Sequence, residues 1–279
     1  MTRFADLHIH THYSDSTASP QEGIQEAIKA GLQGIAITDH DTMEGVLPAQ
    51  HAAQGFDLEI IPGIELSSEW ENKDIHILGY FLDGDNEAFR VQLDKIQESR
   101  IERIKKMIEK LKSLGVHNVH FEEVFSLTES KSVGRPHLAK ILLDKGWVGS
   151  IREAFDRYIG EEGPAYVTKY KLTPYEAIQL IRKAGGIAVM AHPMFTQKDE
   201  LLPGFITAGM QGIEVYYPSC SKTTIAFYEG LAQKYHLIPT GGSDFHGKLK
   251  PDTYLGKKKV SYEIVERLKK LKELNSKSV

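Results

Sequence analysis

The stretch Ala5-Asp6-Leu7-His8-Ile9-His10 is typical of a short buried strand that ends in polar residues. Side chains alternate between the two faces of a strand, so Asp6, His8 and His10 share one face. Two imidazoles on one face, with Asp15 five residues later, are the beginning of a metal site. Taken alone, the pair also fits two ordinary polar residues, so the rest of the chain has to decide.

The bulk composition indicates a globular protein with a sizeable core. The chain has 279 residues, of which 41% are hydrophobic and 26% charged, which allows one large α/β barrel or two ordinary domains. A net charge of −4 argues against stable binding of duplex DNA. Cys220 is the only cysteine, which excludes an intrachain disulfide and a thiolate cluster. We see no signal peptide or membrane span, and we expect a cytoplasmic protein.

Helix starts alternate with strand-like runs along the chain. Ser19 and Thr173 each precede a proline and lie three residues before a glutamate, which is the pattern of a capped helix start. Continuous apolar runs, typical of strands buried on both faces, cover residues 34–38, 58–65, 75–81, 187–191, 212–217 and 237–240. This alternation predicts βαβ units and a mostly parallel sheet, closed by a short strand near 254–260.

The middle of the chain has a different pattern. Residues 86–114 are rich in charge and carry apolar residues at helical spacing, which predicts one very long amphipathic helix or two in series. Shorter helices are expected near 136–145 and 150–158. We interpret residues 83–165 as a helical insertion, and we expect the basic residues of the long helix, Arg100 and Arg103 among them, to form a solvated face.

Ligand-type side chains recur where the predicted strands end. Because the carboxyl ends of parallel strands meet at one face of a barrel, these side chains are expected at a common rim. The residues are His8, His10, His40, Glu65, His192, Asp244 and His246. Their placement strengthens the metal-site interpretation of the opening strand.

Seven motifs of the chain, taken in order, resemble those of the PHP (polymerase and histidinol phosphatase) metallophosphoesterases. They are His8-x-His10, Ser14-Asp15, Thr38-Asp39-His40, Gly63-x-Glu65, Asp74-x-His76, Ala191-His192-Pro193 and Gly242-Ser243-Asp244-x-His246. The resemblance implies an α/β fold, a distorted seven-stranded (β/α) barrel with up to three divalent metals at one rim. Residues 1–82 and 166–279 would form this barrel, and the helical insertion 83–165 would cap the substrate.

The resemblance also implies how the ligands are shared. His8, His10, Glu65 and Asp244 would hold one ion, Glu65, His76 and His192 a second, and Asp15, His40 and His246 a third. Three divalent ions, three carboxylates and one hydroxide leave about two positive charges, which suits a phosphate dianion. Without thiolate ligands, Mn²⁺ is our first choice, with Fe²⁺ or Zn²⁺ as alternatives. Asp6, which shares a strand face with His8, would orient a ligand histidine or a basic partner.

The segment 132–139, SVGRPHLA, is similar to the insertion of stand-alone bacterial PHP proteins. That subfamily acts on nucleoside 3′,5′-bisphosphates, and some members trim the 5′ ends of short oligonucleotides. The resemblance favours Arg135 and His137 as a clamp for the second phosphate, because a helix start beside a guanidinium binds phosphate well. The alternative is a capped surface helix. Lys169 and Arg182 are weaker candidates.

These observations predict a metal-dependent phosphoric monoester hydrolase. Metal ions would lower the pKa of a water, and the resulting hydroxide would attack phosphorus. The leading substrate is a nucleoside 3′,5′-bisphosphate losing its 3′-phosphate. The alternatives are a 5′→3′ exonuclease on short RNA or DNA, a histidinol phosphatase, and a non-catalytic metal-binding domain. Small nucleotides, and short oligonucleotides under the exonuclease alternative, are the expected partners, and no membrane contact is expected.

Overall fold

A computed structural model of the protein describes residues 2–168 and 170–277. Within these residues, eight strands form a single sheet. In chain order they are β1 Phe4–Ile9, β2 Gly34–Ile37, β3 Glu59–Trp70, β4 Lys73–Tyr80, β5 Ile187–Met190, β6 Met210–Tyr216, β7 Ile238–Gly241 and β8 Val260–Ser261. The hydrogen-bonded order is β7-β6-β5-β4-β3-β2-β1-β8.

The sheet curves into a barrel, and the segment after β7 meets β1 at the seam. Ile9 and Phe245 form an isolated parallel bridge there. The Asp244 backbone N–H donates to the His8 carbonyl at 2.9 Å, and that of His10 donates to the Phe245 carbonyl at 3.0 Å. The predicted α/β barrel is therefore confirmed, with eight strands instead of seven. The additional strand, β8, has two residues and pairs antiparallel with Phe4 and Ala5.

Besides β8, β4 also runs against the expected direction. The pairs β1–β2, β2–β3, β5–β6 and β6–β7 are parallel, whereas β4 is antiparallel to both of its neighbours. A tight turn with positive φ at Glu71 (49°) and Asn72 (63°) joins β3 to β4, which is the backbone geometry of a two-residue hairpin. The beginning of β4 therefore lies at the rim where the parallel strands end.

Some helices pack around this sheet, and α3 to α6 lie in the part of the chain between β4 and β5. They are α1 Pro20–Lys29, α2 Val46–Ala52, α3 Glu87–Ser113, α4 Phe121–Phe125, α5 Arg135–Asp144, α6 Ile151–Ala154, α7 Pro174–Lys183, α8 Pro193–Thr196, α9 Leu202–Thr207, α10 Lys222–Lys234 and α11 Glu263–Ser276. A π-helical turn, Phe155–Ile159, continues α6. The capping boxes at Ser19 and Thr173 form as the sequence indicates.

Helix α3 is continuous and contributes to two apolar clusters. Its first half packs Phe89 and Ile96 into the cluster that also holds the outer faces of β3, β4 and α7. Its second half, from Ile104, packs with α4, α5 and α6 in a cluster drawn from residues 104–165. The expected solvated face is wrong for two of its arginines, because Arg100 is 8% exposed and Arg103 is 7% exposed. Both lie on α3 between Ile96, which belongs to the first cluster, and Ile104, which belongs to the second.

Candidate metal centre

The nine predicted ligand residues come together at the rim of the barrel. His8 lies near the end of β1 and His10 directly follows it, and His40 forms a parallel bridge with Glu65 of β3. His192 follows β5, and Asp244 and His246 follow β7. His76 lies early in β4 and reaches the same rim because this strand runs in the opposite direction. Asp15 joins them from the loop after β1 through His246, whose Nε2 is 3.2 Å from Asp15 Oδ1.

Glu65 is at the middle of the group. Its Oε2 is 3.2 Å from each of His8 Nε2, His10 Nε2 and His40 Nδ1. Its Oε1 is 2.9 Å from His76 Nδ1 and from His192 Nε2. Five imidazole nitrogens around one buried carboxylate require positive charge between them, supplied by protons or by metal ions.

Three sets of ligand atoms, found among residues 2–168 and 170–277, are close enough to hold an ion. They are His8, His10, Glu65 and Asp244; His10, Asp15, His40 and His246; and His40, Glu65 and His76. The first set is the predicted one, and the second contains the predicted trio with His10 added. The remaining set contains His40 in place of the predicted His192. His192 lies beside this set, with its Nε2 2.9 Å from Glu65 Oε1.

The electrostatics of the cluster fit cation binding. Burial lowers the pKa of His10, but hydrogen bonding to the carboxylates of Asp244 and Glu65 outweighs it and raises the pKa to about 9. Burial lowers the pKa of His40 to about 3. The neighbouring histidines hold the pKa of Asp15, Glu65 and Asp244 well below the usual range, although burial opposes this. A His/Asp/Glu cluster of this kind is suited to divalent metals.

Asp6 supports the site through the backbone. Its carboxylate is fully buried and accepts N–H bonds from Ser243 at 2.8 Å and Gly256 at 2.9 Å. Burial raises its pKa to about 6, although these bonds oppose the rise. The contact with Ser243 fixes the segment that carries Asp244, and the backbone N–H of His8 also points at Asp6 Oδ1, at 3.4 Å.

Glu214 contacts two of the candidate ligand histidines, and its role was not predicted from the sequence. Its Oε1 lies 3.0 Å from His8 Nδ1, and its Oε2 accepts the backbone N–H of His192 at 2.7 Å. A carboxylate on the far nitrogen fixes the tautomer that turns Nε2 toward a metal. The available signal was a single carboxylate inside the apolar run of β6.

Two further polar groups hold Asp244. The Tyr217 hydroxyl donates to Asp244 Oδ2 at 2.7 Å, and Lys250 Nζ is 2.7 Å from the same oxygen. The charge count made from sequence includes neither Lys250 nor the buried carboxyl of Glu214, which would offset each other. No motif marks either residue.

Asp39 secures the loop that carries Asp15. It is fully buried and accepts from the Thr11 hydroxyl at 2.7 Å, the Thr11 backbone N–H at 2.7 Å and the Ser14 hydroxyl at 2.6 Å. The loop is thereby tied to the end of β2, beside His40.

The insertion contacts the rim through a serine hydroxyl and one arginine. Ser132 donates to the His40 carbonyl. Arg100 Nε donates to Asp41 Oδ2 at 2.7 Å and Arg100 Nη2 to the Ser67 hydroxyl at 2.9 Å. The segment that carries His40 is thus held from the side of the insertion.

The predicted substrate residues have different surroundings. Arg135 Nη2 lies 3.6 Å from Asp74 Oδ2, two residues from His76. His137 is 4% exposed, and its Nδ1 accepts the Gly134 N–H at 3.0 Å, so its contact with substrate stays a prediction. Arg182 bonds the Gly186 carbonyl, at the opposite end of β5 from His192. Lys169 lies outside the described residues.

A cavity of about 450 Å³ covers the centre and reaches the insertion at Pro136, Ile151 and Phe155. Its floor contains His40, Glu65 and other ligand residues. The helices of residues 2–168 and 170–277 include none that is long and apolar enough to span a membrane.

Fold and site together define a metal-dependent phosphoesterase. The chain belongs to the PHP domain family, whose profile matches residues 6–237. It is 33% identical to a 5′-3′ exoribonuclease of Haemophilus influenzae, over 88% of this chain and 91% of the relative. It is 32% identical to a 3′,5′-nucleoside bisphosphate phosphatase of Chromobacterium violaceum, over 86% of each. A solved structure from Bifidobacterium adolescentis, described as a metal-dependent phosphoesterase, aligns with a TM-score of 0.87 and 29% identity over 95% of this chain and 94% of its own. The resemblance noted from the motifs is confirmed.

Proposed function

We propose that the protein removes the 3′-phosphate from nucleoside 3′,5′-bisphosphates and leaves the nucleoside 5′-monophosphate. The observation that carries this proposal is a cluster of arginines beside the metal centre. Arg100 and Arg103 lie on α3, and Arg135 begins α5. Arg135 Nη2 is 3.6 Å from Asp74, which precedes the proposed ligand His76 by two residues. A substrate with one phosphate has no use for such a cluster.

The arginine cluster has the character of an anion site. The Tyr166 ring is close to two guanidinium groups, with its centroid 5.2 Å from Arg103 Cζ and 5.6 Å from Arg135 Cζ. Burial and the positive charge of Arg135 lower the pKa of Arg103 to about 10. Among the described residues, no hydrogen-bond partner faces the buried Nη2 of Arg103. Buried cations held close together favour a phosphate that bonds them.

The roles of the chain's own residues follow from this arrangement. We propose His8, His10, Asp15, His40, Glu65, His76, His192, Asp244 and His246 as ligands of two or three divalent ions, with Mn²⁺ first. When bound, these ions would activate water and neutralise the phosphoryl oxygens. Glu214 and Asp6 hold the ligand segments, and Tyr217 and Lys250 hold Asp244. Arg103 and Arg135 bind the second phosphate, and Arg100 holds the helix that carries Arg103 against Asp41 and Ser67.

Phosphate release tests the proposal directly. Purified protein with Mn²⁺ is expected to convert adenosine 3′,5′-bisphosphate into AMP and phosphate. A His192→Ala variant serves as the control for contaminating phosphatases. Release no greater than that of the variant, with Mn²⁺, Fe²⁺ and Zn²⁺ each tried, would contradict the proposal.

Replacement of Arg135 tests the substrate assignment. Arg135→Ala is expected to lower kcat/KM for the bisphosphate about 10- to 100-fold, because a charge-assisted contact to phosphate is lost. Hydrolysis of p-nitrophenyl phosphate, which has no second phosphate, should change less than two-fold. Arg157→Ala, on the neighbouring turn and paired with Glu153, is the matched control. Equal losses on both substrates would remove the main support for a bisphosphate.

A second candidate, 5′→3′ exonuclease activity on short RNA or DNA, is supported by relatives named 5′-3′ exoribonucleases. It uses the same rim and requires the chain of the oligonucleotide to leave the cavity past the insertion. A 3′-labelled RNA of about ten nucleotides distinguishes the two. Stepwise shortening from the 5′ end supports the exonuclease, and an intact product supports a strict phosphatase.

A further inference from the structure

The cavity over the metal centre has two chemically different parts. Its floor carries ligand-type histidines and carboxylates. Its upper wall is apolar and consists of Pro136, Ile151, Phe155, Phe195 and Leu249. Tyr217 and Lys250 also line it, but both bond Asp244 Oδ2. A ligand that fills this cavity therefore needs an anionic end and an apolar end.

Phe195 is the most exposed residue of the apolar wall. The chain turns sharply at His192, where φ is +27°, and the single helical turn Pro193–Thr196 then presents Phe195 with 59% of its surface exposed. Its ring packs at 90° to Tyr217, with 5.1 Å between centroids. A phenyl ring held in this way and left in water gains free energy when a planar group covers it.

Phe155 belongs to the same wall on the side of the insertion. It begins the π-helical turn, in which the Gly160 N–H donates to the Phe155 carbonyl at 2.9 Å. Such widened turns are rare and frequently occur at functional sites. Arg135 Cζ lies 5.5 Å from the Phe155 ring centroid. Phe155 therefore adjoins both the cavity and the arginine cluster.

We propose that Phe195 and Phe155 form an aromatic platform for the base of a nucleotide whose scissile phosphate lies at the metal centre. The inference rests on the proposed function and specifies which part of the substrate the insertion side recognises. A nucleoside joined to phosphate matches the cavity, because its base is flat and largely apolar while its phosphate is anionic. Stacking on aromatic side chains is the general means of binding bases.

The test compares two substrates that differ only in the base. Phe195→Ala is expected to raise KM for 2′-deoxyadenosine 3′,5′-bisphosphate about ten-fold, the loss typical of one stacking contact. With the abasic tetrahydrofuran 3′,5′-bisphosphate, its KM should stay within about two-fold of the wild type. Phe195→Tyr, which keeps the ring, should restore the lower KM. Phe227→Ala, an exposed phenylalanine of α10 (52% exposed), is the control.

Two outcomes would overturn the platform. One is an unchanged KM for the deoxyadenosine substrate in Phe195→Ala. The other is an equal rise on both substrates, which would mean that Phe195 acts only by supporting His192. If the wild type releases no phosphate from the bisphosphate, the proposed function fails. Calorimetric titration with AMP then still decides the inference: a dissociation constant about ten-fold higher in Phe195→Ala supports it, and an unchanged one contradicts it.

Discussion

At the scale of single residues, the orientation of His8 depends on Glu214. The imidazole has one nitrogen bonded to Glu214 and the other directed at Glu65, so the carboxylate decides which nitrogen is free for a metal. Removing such a partner typically lowers metal affinity 10- to 100-fold. Glu214→Gln is expected to weaken Mn²⁺ binding by roughly this factor. Glu229→Gln, on exposed α10, should bind as the wild type.

Metal titration followed by elemental analysis measures the effect. Activity of Glu214→Gln should recover in part at high Mn²⁺, because the ligands themselves remain. An affinity equal to that of Glu229→Gln would show that the tautomer of His8 is fixed by something else.

Metal binding should release protons. With its pKa near 9, His10 is protonated at pH 7.5 when no metal is bound, whereas His40, with its pKa near 3, is neutral. Only a neutral imidazole can bind a metal, so binding displaces the proton of His10 and affinity falls as pH falls. Calorimetry at pH 7.5 in HEPES and in Tris should give different binding enthalpies. His10→Ala should release about one proton fewer, and identical enthalpies in both buffers would contradict the expectation.

Strand-end position indicated the candidate ligands, but it could not indicate the residues that support them. His8, His40 and Glu65 could be proposed because polar residues end buried runs, and parallel topology brings such ends together. Glu214 lies within a strand, and Lys250 lies in a loop whose course depends on the whole barrel. Neither residue type nor spacing predicts which carboxylate a loop lysine will meet.

At the scale of elements, α3 is anchored to the barrel by Arg100. Its guanidinium bonds Asp41 and Ser67 where all three side chains are buried. Breaking a buried ion pair from one side costs about 3–5 kcal/mol. Arg100→Met is expected to lower the free energy of unfolding by roughly this amount, measured by urea denaturation.

Arg152→Met is the matched control for this anchor. Arg152 is 90% exposed and lies 3.6 Å from Asp156, so its replacement should leave stability unchanged. Adding Asp41→Asn to Arg100→Met should recover part of the loss, because the buried charge is then removed. Equal stability of the two single variants would mean that the ion pair contributes nothing.

The length of α3 could be predicted from its periodicity, but the burial of Arg100 and Arg103 could not. A helical pattern shows which residues share a face, and arginines usually face solvent. Here Arg100 meets Asp41 and Ser67 of the barrel, and Arg103 donates to the Val167 carbonyl, and only the three-dimensional arrangement shows these contacts. The antiparallel course of β4 was missed for a similar reason, since an apolar run carries no direction.

At the scale of the whole molecule, the ions would cross-link the barrel. Their proposed ligands come from both ends of the chain and from six of the strands or the segments that follow them. Mn²⁺ at 100 times its dissociation constant should stabilise the fold by about 2.7 kcal/mol. This corresponds to a rise in Tm of roughly 5–10 °C. EDTA should reverse the rise, and His40→Ala should reduce it; an unchanged Tm would contradict metal binding by the folded state.

The barrel seam has a consequence for synthesis on the ribosome. His8 and His10 are made first, but the segment that bonds β1 at the seam carries Asp244 and His246. At ~5–20 residues per second, the opening strand waits roughly ten to fifty seconds for those partners. Until then one edge of the nascent β1 is uncovered and two of the proposed ligands do not yet exist. Metal loading would therefore be among the last steps of the protein's biogenesis, and a truncated chain would emerge without a complete centre.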